Sequence, residues 1–465
     1  MNVPLLIILL SVLISLITAV NRTRPRASAW IGAGGLLLLG LFIWLAPLEE
    51  AFNLAGIALK FTNQFNILGR ALVLDDTTRG FVGFIYAASA FLLIAGSNAN
   101  TNRLFTPLGV FMCIILASAL MMKPFVYAAI LIEISAMVAV VMLVAPEYPA
   151  RRTAMRLIFV FTLAMMAILT AGWMLDVVGV TGATPGTARW TTGLLAIGMA
   201  VMLAVPPFHY WLSAAADESN PFVVAAFLLL SQTIGLFFLL RFLDTYEWLR
   251  AQPEIFSAIR TAGMGMVWFS GIMSLGQRRL ARIIMYGMIA DLGILLMAVG
   301  LGSEGGFALA LQMTAARVPG IVLWVASLTY LIRVVGDDLV DRLEGAAHRH
   351  KYGAIFMLIG MSASFGFPFS ATFPSRWAML EPMAGIDRFG ILTIMFGWVF
   401  GGAILLRWFV LLWRSEKRDR SEGFVIGQWA FMIGCAALIL LLGMFPQIVL
   451  PWVRQVGDGL QQILP

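Results

Sequence analysis

The sequence predicts an all-α polytopic membrane protein with about fourteen transmembrane helices. Three observations predict it. Hydrophobic residues make up 61% of the chain and charged residues 12%, with a mean hydropathy of +0.92, whereas soluble domains carry about 25% charged residues. Apolar runs of about 20 residues, the length that crosses a bilayer as a helix, recur from one end of the chain to the other. Apolar and polar residues do not alternate with period two inside these runs, which argues against a membrane β-barrel.

Taken in order, the first run, at 3–20, has no positively charged region ahead of it and reads as an uncleaved helix rather than a signal peptide. Runs at 28–47 and 80–97 complete an N-terminal three-helix segment over 1–97. The gap at 48–79 is too short for a soluble domain. Runs at 104–121, 124–145, 154–175, 191–210 and 222–243 form a first five-helix unit over 104–243. Those at 258–275, 283–301, 307–332, 352–372 and 388–413 form a second over 258–413. A last run at 427–450 opens a C-terminal helix and tail over 427–465. Cys113 and Cys435 both lie inside apolar runs and read as buried thiols, because metal or disulfide chemistry needs clusters or pairs.

The net charge of +7 is unevenly placed. Loops after odd-numbered runs hold Arg22, Arg24, Arg26, Arg151, Arg152, Arg278, Arg279, Arg282, Arg349, Lys351 and other cations, and the opposite loops hold fewer over a longer length. The positive-inside rule then puts both termini outside the cytoplasmic membrane, in keeping with an even helix count. The basic loops are short and alternate with spans, so a nucleic-acid surface is not expected. His348 and His350 in HRHKYG lack an evident third ligand and read as part of a solvated loop.

Charge inside hydrocarbon is costly, and such residues are functional candidates by default. Glu133 lies mid-run in AAILIEISAMV, with no way to snorkel, so it must pair with a cation or stay neutral. Arg156 and Arg376 are long enough to snorkel to an interface or to act inside. Gln232 either joins two helices or belongs to a site. Asp291 either pairs with an arginine such as Arg317 or serves a function. Prolines fall late in several runs, at Pro206–Pro207, Pro319, Pro368 and Pro374. Proline removes a helical hydrogen bond, and the carbonyls freed in a bilayer need protein or a hydrated cavity beside them. The breaks near 206 and 368 lie five runs apart, in runs seven and twelve, as expected for two inverted five-helix repeats with broken helices at the transport site. His209 follows the first break and either titrates near neutrality or caps freed carbonyls.

Four stretches, in order, resemble one family. VPPFHYW with Asn220–Pro221, SQTIGLFFLLRF, GQRRLARIIMYGMIADLG and GFPFSATFPSRW are similar to the motifs of the antiporter-like membrane subunits of proton-pumping NADH:quinone oxidoreductase. That family also takes in cation/proton antiporter complexes and membrane-bound hydrogenases, and the chain looks most like the shorter N-type subunit. The resemblance implies a proton path along a mid-membrane axis, built from a glutamate in segment five and lysines in segments seven, eight and twelve. Lysine suits a relay because burial pulls its pKa toward neutrality.

Carried over position by position, the glutamate falls on Glu133 and the segment-six cation on Arg156. The three lysines fall on Met202, Gln232 and Arg376. The family's histidine of segment ten falls on Asp291, and the lysine before it on Ala281. Methionine and glutamine take up no proton, and arginine stays charged. The resemblance therefore implies a membrane-arm subunit of a complex I-like oxidoreductase whose own proton path is degraded. The alternative is a surviving path through Glu133, Asp291 and His209; in the leading reading, Arg317 beside Pro319 helps to hold the coupling axis. No redox cofactor or catalytic centre of its own is expected; the expected partners are the lipid bilayer and other membrane-arm subunits. An ion or inorganic-carbon transporter subunit with a different soluble partner, and a structural membrane scaffold, are the competing readings.

Overall fold

The computed structural model describes residues 2–46, 48, 51–54, 57–67, 69–99, 101–144, 150–181, 185–414, 426–460 and 462–463. Its helices in chain order are α1 (Val3–Val20), α2 (Pro25–Leu45), α3 (Asp76–Gly96), α4 (Phe105–Met121), α5 (Ala128–Leu143), α6 (Arg151–Thr181) and α7 (Pro185–Met202). Then come α8 (Tyr210–Glu218), α9 (Pro221–Thr245), α10 (Glu247–Arg250), α11 (Pro253–Gly276), α12 (Leu280–Val299) and α13 (Glu304–Val335). The last are α14 (Val340–Leu343), α15 (Lys351–Phe365), α16 (Phe373–Ala378), α17 (Leu380–Ile386), α18 (Arg388–Trp413), α19 (Ile426–Met444) and α20 (Leu450–Gly459).

A helix occupies each apolar run, but the runs are not equivalent. Among the described residues, ten helices are long and apolar enough to cross a membrane, or eleven if the pair bent by 96° at Phe445 is one span. The helices α4 and α15 are shorter, and α7 stops at a break. This is a multi-pass helical membrane protein.

Local sequence sets the helix ends. Proline opens α9 and α11, where its missing N–H is unneeded. Asn220 Oδ1 accepts from Phe222 N at 2.9 Å, and Ser303 and Asp387 cap α13 and α18 in the same way. The α6 N-terminus is capped from a distance: Glu218, at the end of α8, accepts from Arg152 N at 3.0 Å and Thr153 N at 3.2 Å. That carboxylate also complements the positive end of the helix dipole.

The short gap near residue 60 holds strands. β1 (Ala51–Leu54) pairs antiparallel with β2 (Ile57–Lys60), and β3 (Gln64–Ile67) with β4 (Arg70–Val73). β5 (Met122–Lys123) adds to β4. Gly69, at φ +72, supplies the left-handed turn between β3 and β4.

At the start of α3, Asp75 accepts from Thr78 N at 2.8 Å and lies 3.1 Å from both Arg241 Nη2 and Lys123 Nζ. Burial alone would raise the Asp75 pKa. The Arg241 charge, the Thr78 hydroxyl and the Lys123 charge outweigh it and hold the carboxyl down at about 2.

α9 is buried along its whole membrane-crossing window and lies at the centre of the fold. It is apolar on every face, as a fully enclosed helix must be. Gln232 sits near its middle, 0% exposed. Cys113 and Cys435 are free and buried, as expected. Pro319 does not break its helix, since α13 runs through it.

Candidate mid-membrane site

Two helix breaks shape the site. α7 ends at Met202, Ala204 takes φ +55, and α8 begins at Tyr210. α15 ends at Phe365, Gly366 takes φ +70, and α16 begins at Phe373. The carbonyls exposed at the second break can be accounted for one by one. Thr372 Oγ1 donates to Ala363 O at 2.9 Å, Arg376 Nη2 to Ser364 O at 2.8 Å, Arg376 Nη1 to Phe365 O at 2.5 Å, and Trp398 Nε1 to Gly366 O at 2.9 Å. The break is stable in the protein interior because the side chains of Thr372, Arg376 and Trp398 replace the lost helical partners.

Gly366 is required there twice over. Its φ is left-handed, and a Cβ would stand 2.5 Å from Arg376 Cδ and 2.7 Å from Arg376 Nε. The guanidinium lies over the glycine, against the negative end of the α15 dipole.

From this point a line of buried polar groups runs from α16 through α12 and α13 to α9. Arg376 Nη2 also donates to Asp291 Oδ1 of α12 at 2.5 Å. The other oxygen, Asp291 Oδ2, lies 2.8 Å from Arg317 Nε of α13, an ionic contact misaligned for a hydrogen bond. Arg317 Nη2 donates to Gln232 Oε1 of α9 at 2.6 Å. The side chains of Arg317, Asp291 and Arg376 are 1%, 4% and 5% exposed, so neither arginine snorkels.

One carboxylate thus faces two guanidiniums, and the surplus positive charge rests on the Ser364 and Phe365 carbonyls. Burial of unpaired charge is prohibitive, so these contacts are obligatory for the fold. The array links four elements through charge-assisted hydrogen bonds. Chemically it can hold a fixed field. Its arginines hold their protons too firmly to pass them on.

The other named residues stand apart from this line. Glu133 is buried at 8% exposure and accepts from Thr162 Oγ1 of α6 at 2.5 Å, with no ion pair among the described residues. Arg156 is half-buried, its Cζ 5.6 Å from the centre of the Tyr210 ring. Met202 is buried beside α9, its Cβ 3.7 Å from where a Gly235 Cβ would lie. His209 caps no carbonyl through Nδ1, which has no partner; its ring packs edge-on against Phe269 at 4.6 Å. His348 and His350 contact Trp413 O and Tyr330 Oη, and no metal-binding group of three ligands occurs among the described residues.

Sequence reasoning missed Thr162 as the partner of Glu133, and nothing in a hydroxyl within an apolar run distinguishes it. It also missed Gly366 as the seat of Arg376, although the left-handed cap was readable in Gly366-Phe367-Pro368. On the basic-loop side, Arg282 Nε donates to Asp217 Oδ1 at 2.9 Å, and Arg279 Nη1 to Asp338 Oδ1 at 3.1 Å. These pairs tie α8 to α12 and to the loop after α13.

The sequence model of the family described as "NADH:quinone oxidoreductase/Mrp antiporter, TM" matches residues 157–401, just over half of the chain. The chain belongs to this family. All four members of the buried line fall within the matched region, whereas Glu133 and Arg156 precede it.

Antiporter-family relatives include "NADH-quinone oxidoreductase subunit N 1" of Streptomyces griseus, 24% identical over 62% of this chain and 64% of the relative. Subunit M of the same enzyme from Pseudomonas aeruginosa is 24% identical over 58% of this chain and 53% of that protein. The chain thus spans a little over half to about three fifths of the length of these curated relatives. Among solved structures, a chain of an archaeal membrane-bound sulfane sulfur reductase superposes at TM-score 0.81, with 16% identity over 99% of this chain and all of that one. A chain of Thermus thermophilus respiratory complex I superposes at 0.76, with 18% identity over 98% of this chain and all of that one. A chain of the Mrp complex from Dietzia gives 0.75, with 20% identity over 97% of this chain and 51% of that one. At these identities the likeness speaks for a shared antiporter-family fold.

Proposed function

We propose that the chain is a membrane-arm subunit of a complex I-like oxidoreductase whose own mid-membrane line holds charge in place instead of relaying protons. The observation that carries this reading is the clasp of Asp291 between Arg317 and Arg376, at 2.8 and 2.5 Å. Arginine keeps its proton, and the positions matching the family's other lysines hold Met202 and Gln232, which take none. Glu133 takes its hydrogen bond from Thr162, outside this line, and has no ion pair among the described residues.

The reading includes fourteen spans, two inverted five-helix repeats over 104–243 and 258–413, a cytoplasmic-membrane location with both termini outside, and other membrane-arm subunits as neighbours. A helix in each apolar run, breaks at both anticipated places and the bias of arginine toward alternate loops support it. The role left to such a subunit is mechanical and electrostatic: a rigid, charged bar joining its neighbours in the membrane.

The test is proton stoichiometry. The complex carrying the double variant Asp291→Asn/Arg317→Gln, which removes one buried pair, keeps the net buried charge of the wild type and leaves Arg376 on the Ser364 and Phe365 carbonyls, is reconstituted into vesicles. Protons moved per electron pair are expected to stay at the wild-type value. A lower stoichiometry in a fully assembled complex would show that the line conducts. A second reading, an ion or inorganic-carbon transporter subunit with a different soluble partner, draws on the similarity to the Mrp chain. Co-purification with redox subunits or with another partner separates the two.

A further inference from the structure

α7 and α11 border a cleft of about 420 Å³ whose floor is α9. Leu195 and Met199 form one wall, Ile259 and Ala262 the other, and Leu239 and Phe242 the floor. The volume falls within the roughly 300–1,000 Å³ of small-molecule sites. Ala196 and Ala258, on the two walls, are exposed, so the cleft opens sideways between two helices. α9 and α11 are both long and apolar enough to cross a membrane, so the cleft runs along membrane-crossing helices.

One end of the cleft is polar. It lies at the start of α7, the end of α9 and the start of α11, where Thr192, Gln252 and Glu254 line it. Glu254 also borders a shallow depression with Ser257 and Thr261. Arg189, exposed, stands three residues before Thr192 and so one helical turn farther toward the same end. Beside it Trp190 is 73% exposed, the placement of an aromatic anchor at a membrane interface.

We propose that this cleft is a phospholipid site. One acyl chain lies on α9 between α7 and α11, the phosphate sits at Arg189, and a headgroup ammonium sits at Glu254. The apolar floor and walls match hydrocarbon, and Glu254 at the mouth together with Arg189, one helical turn beyond Thr192, matches a zwitterionic aminophospholipid of the phosphatidylethanolamine class. A net anionic headgroup would meet the Glu254 carboxylate unpaired.

Native mass spectrometry of the intact detergent-purified complex, equilibrated with phosphatidylethanolamine or phosphatidylglycerol micelles, tests this. The wild type is expected to retain one more phosphatidylethanolamine than the cleft-filling variant Ala200→Phe/Ala262→Phe. Should that variant fail to assemble, the surface variant Arg189→Gln/Glu254→Gln decides: preference for phosphatidylethanolamine is expected to fall roughly two- to fivefold, the loss of an interfacial ion pair. Unchanged lipid count on filling, unchanged preference in the surface variant, or a quinone as the species displaced would each overturn the proposal.

Discussion

Asp291→Asn is the sharpest perturbation of this protein, because the change is nearly isosteric and removes a single charge. In the wild type the carboxylate serves two guanidiniums, from Arg317 at 2.8 Å and Arg376 at 2.5 Å. Arg376 keeps the Ser364 and Phe365 carbonyls after the change. Among the described residues Arg317, 1% exposed, keeps only Gln232 Oε1. Removing one partner of a buried ion pair costs about 3–5 kcal/mol, because an uncompensated charge is left behind. The upper half of that range is expected, since here the lone carboxylate is lost by two cations. Unfolding of a large membrane protein is irreversible, so the assay is apparent Tm at fixed scan rate together with the yield of folded, detergent-purified protein. Asp291→Asn should lower both. Asp291→Asn/Arg317→Gln should recover part of the loss, since it removes the stranded Arg317 charge while Arg376 still lacks its carboxylate. If the single variant matches the wild type, or the double variant is worse than the single, the electrostatic account of the clasp is wrong.

Two further outcomes follow from the same geometry. Gly366→Ala places a Cβ at φ +70 and 2.5 Å from the Arg376 side chain, and should cost about 1–3 kcal/mol in apparent stability from backbone strain, with added loss if Arg376 must shift; a Tm equal to wild type would mean that the break relaxes freely. At the start of α3, the Asp75 carboxyl is held at about 2, below its ordinary 3.8, so its contribution is fully present above about 3.8 and is lost as pH falls toward 2. The stability difference between wild type and Asp75→Asn should therefore shrink between pH 5 and pH 2, and a difference independent of pH would remove Asp75 as its source.

The sequence carried the membrane class without help. A chain that is 61% hydrophobic in runs of span length has one way to satisfy its backbone in a bilayer, and that is helix. It also carried the two breaks, since a proline pair and a Gly-Phe-Pro stretch cannot continue a helix unchanged. It carried the unusual residue types at Met202, Gln232, Asp291 and Arg376, because charge and its absence are visible letter by letter. Span length was less legible: α4 and α15 occupy their runs but are shorter, since hydropathy reports composition and not where packing ends a helix. The hairpins near residue 60 were invisible for a related reason, as four-residue strands leave too short a pattern.

Only the tertiary structure decided which of the buried polar groups meet. Gln232 and Arg317 are 85 positions apart, as are Asp291 and Arg376, and each lies on a helix that is apolar on nearly every side. Such helices have no polar face in the sequence to announce their neighbour. Their rotation and depth come from the packing of small residues and from the need to give every buried charge a partner. That need drew Asp291, Arg317, Arg376 and Gln232 into one line and left Glu133 with Thr162. It also turned Arg376 inward to the carbonyls of a broken helix when its length would have let it reach water.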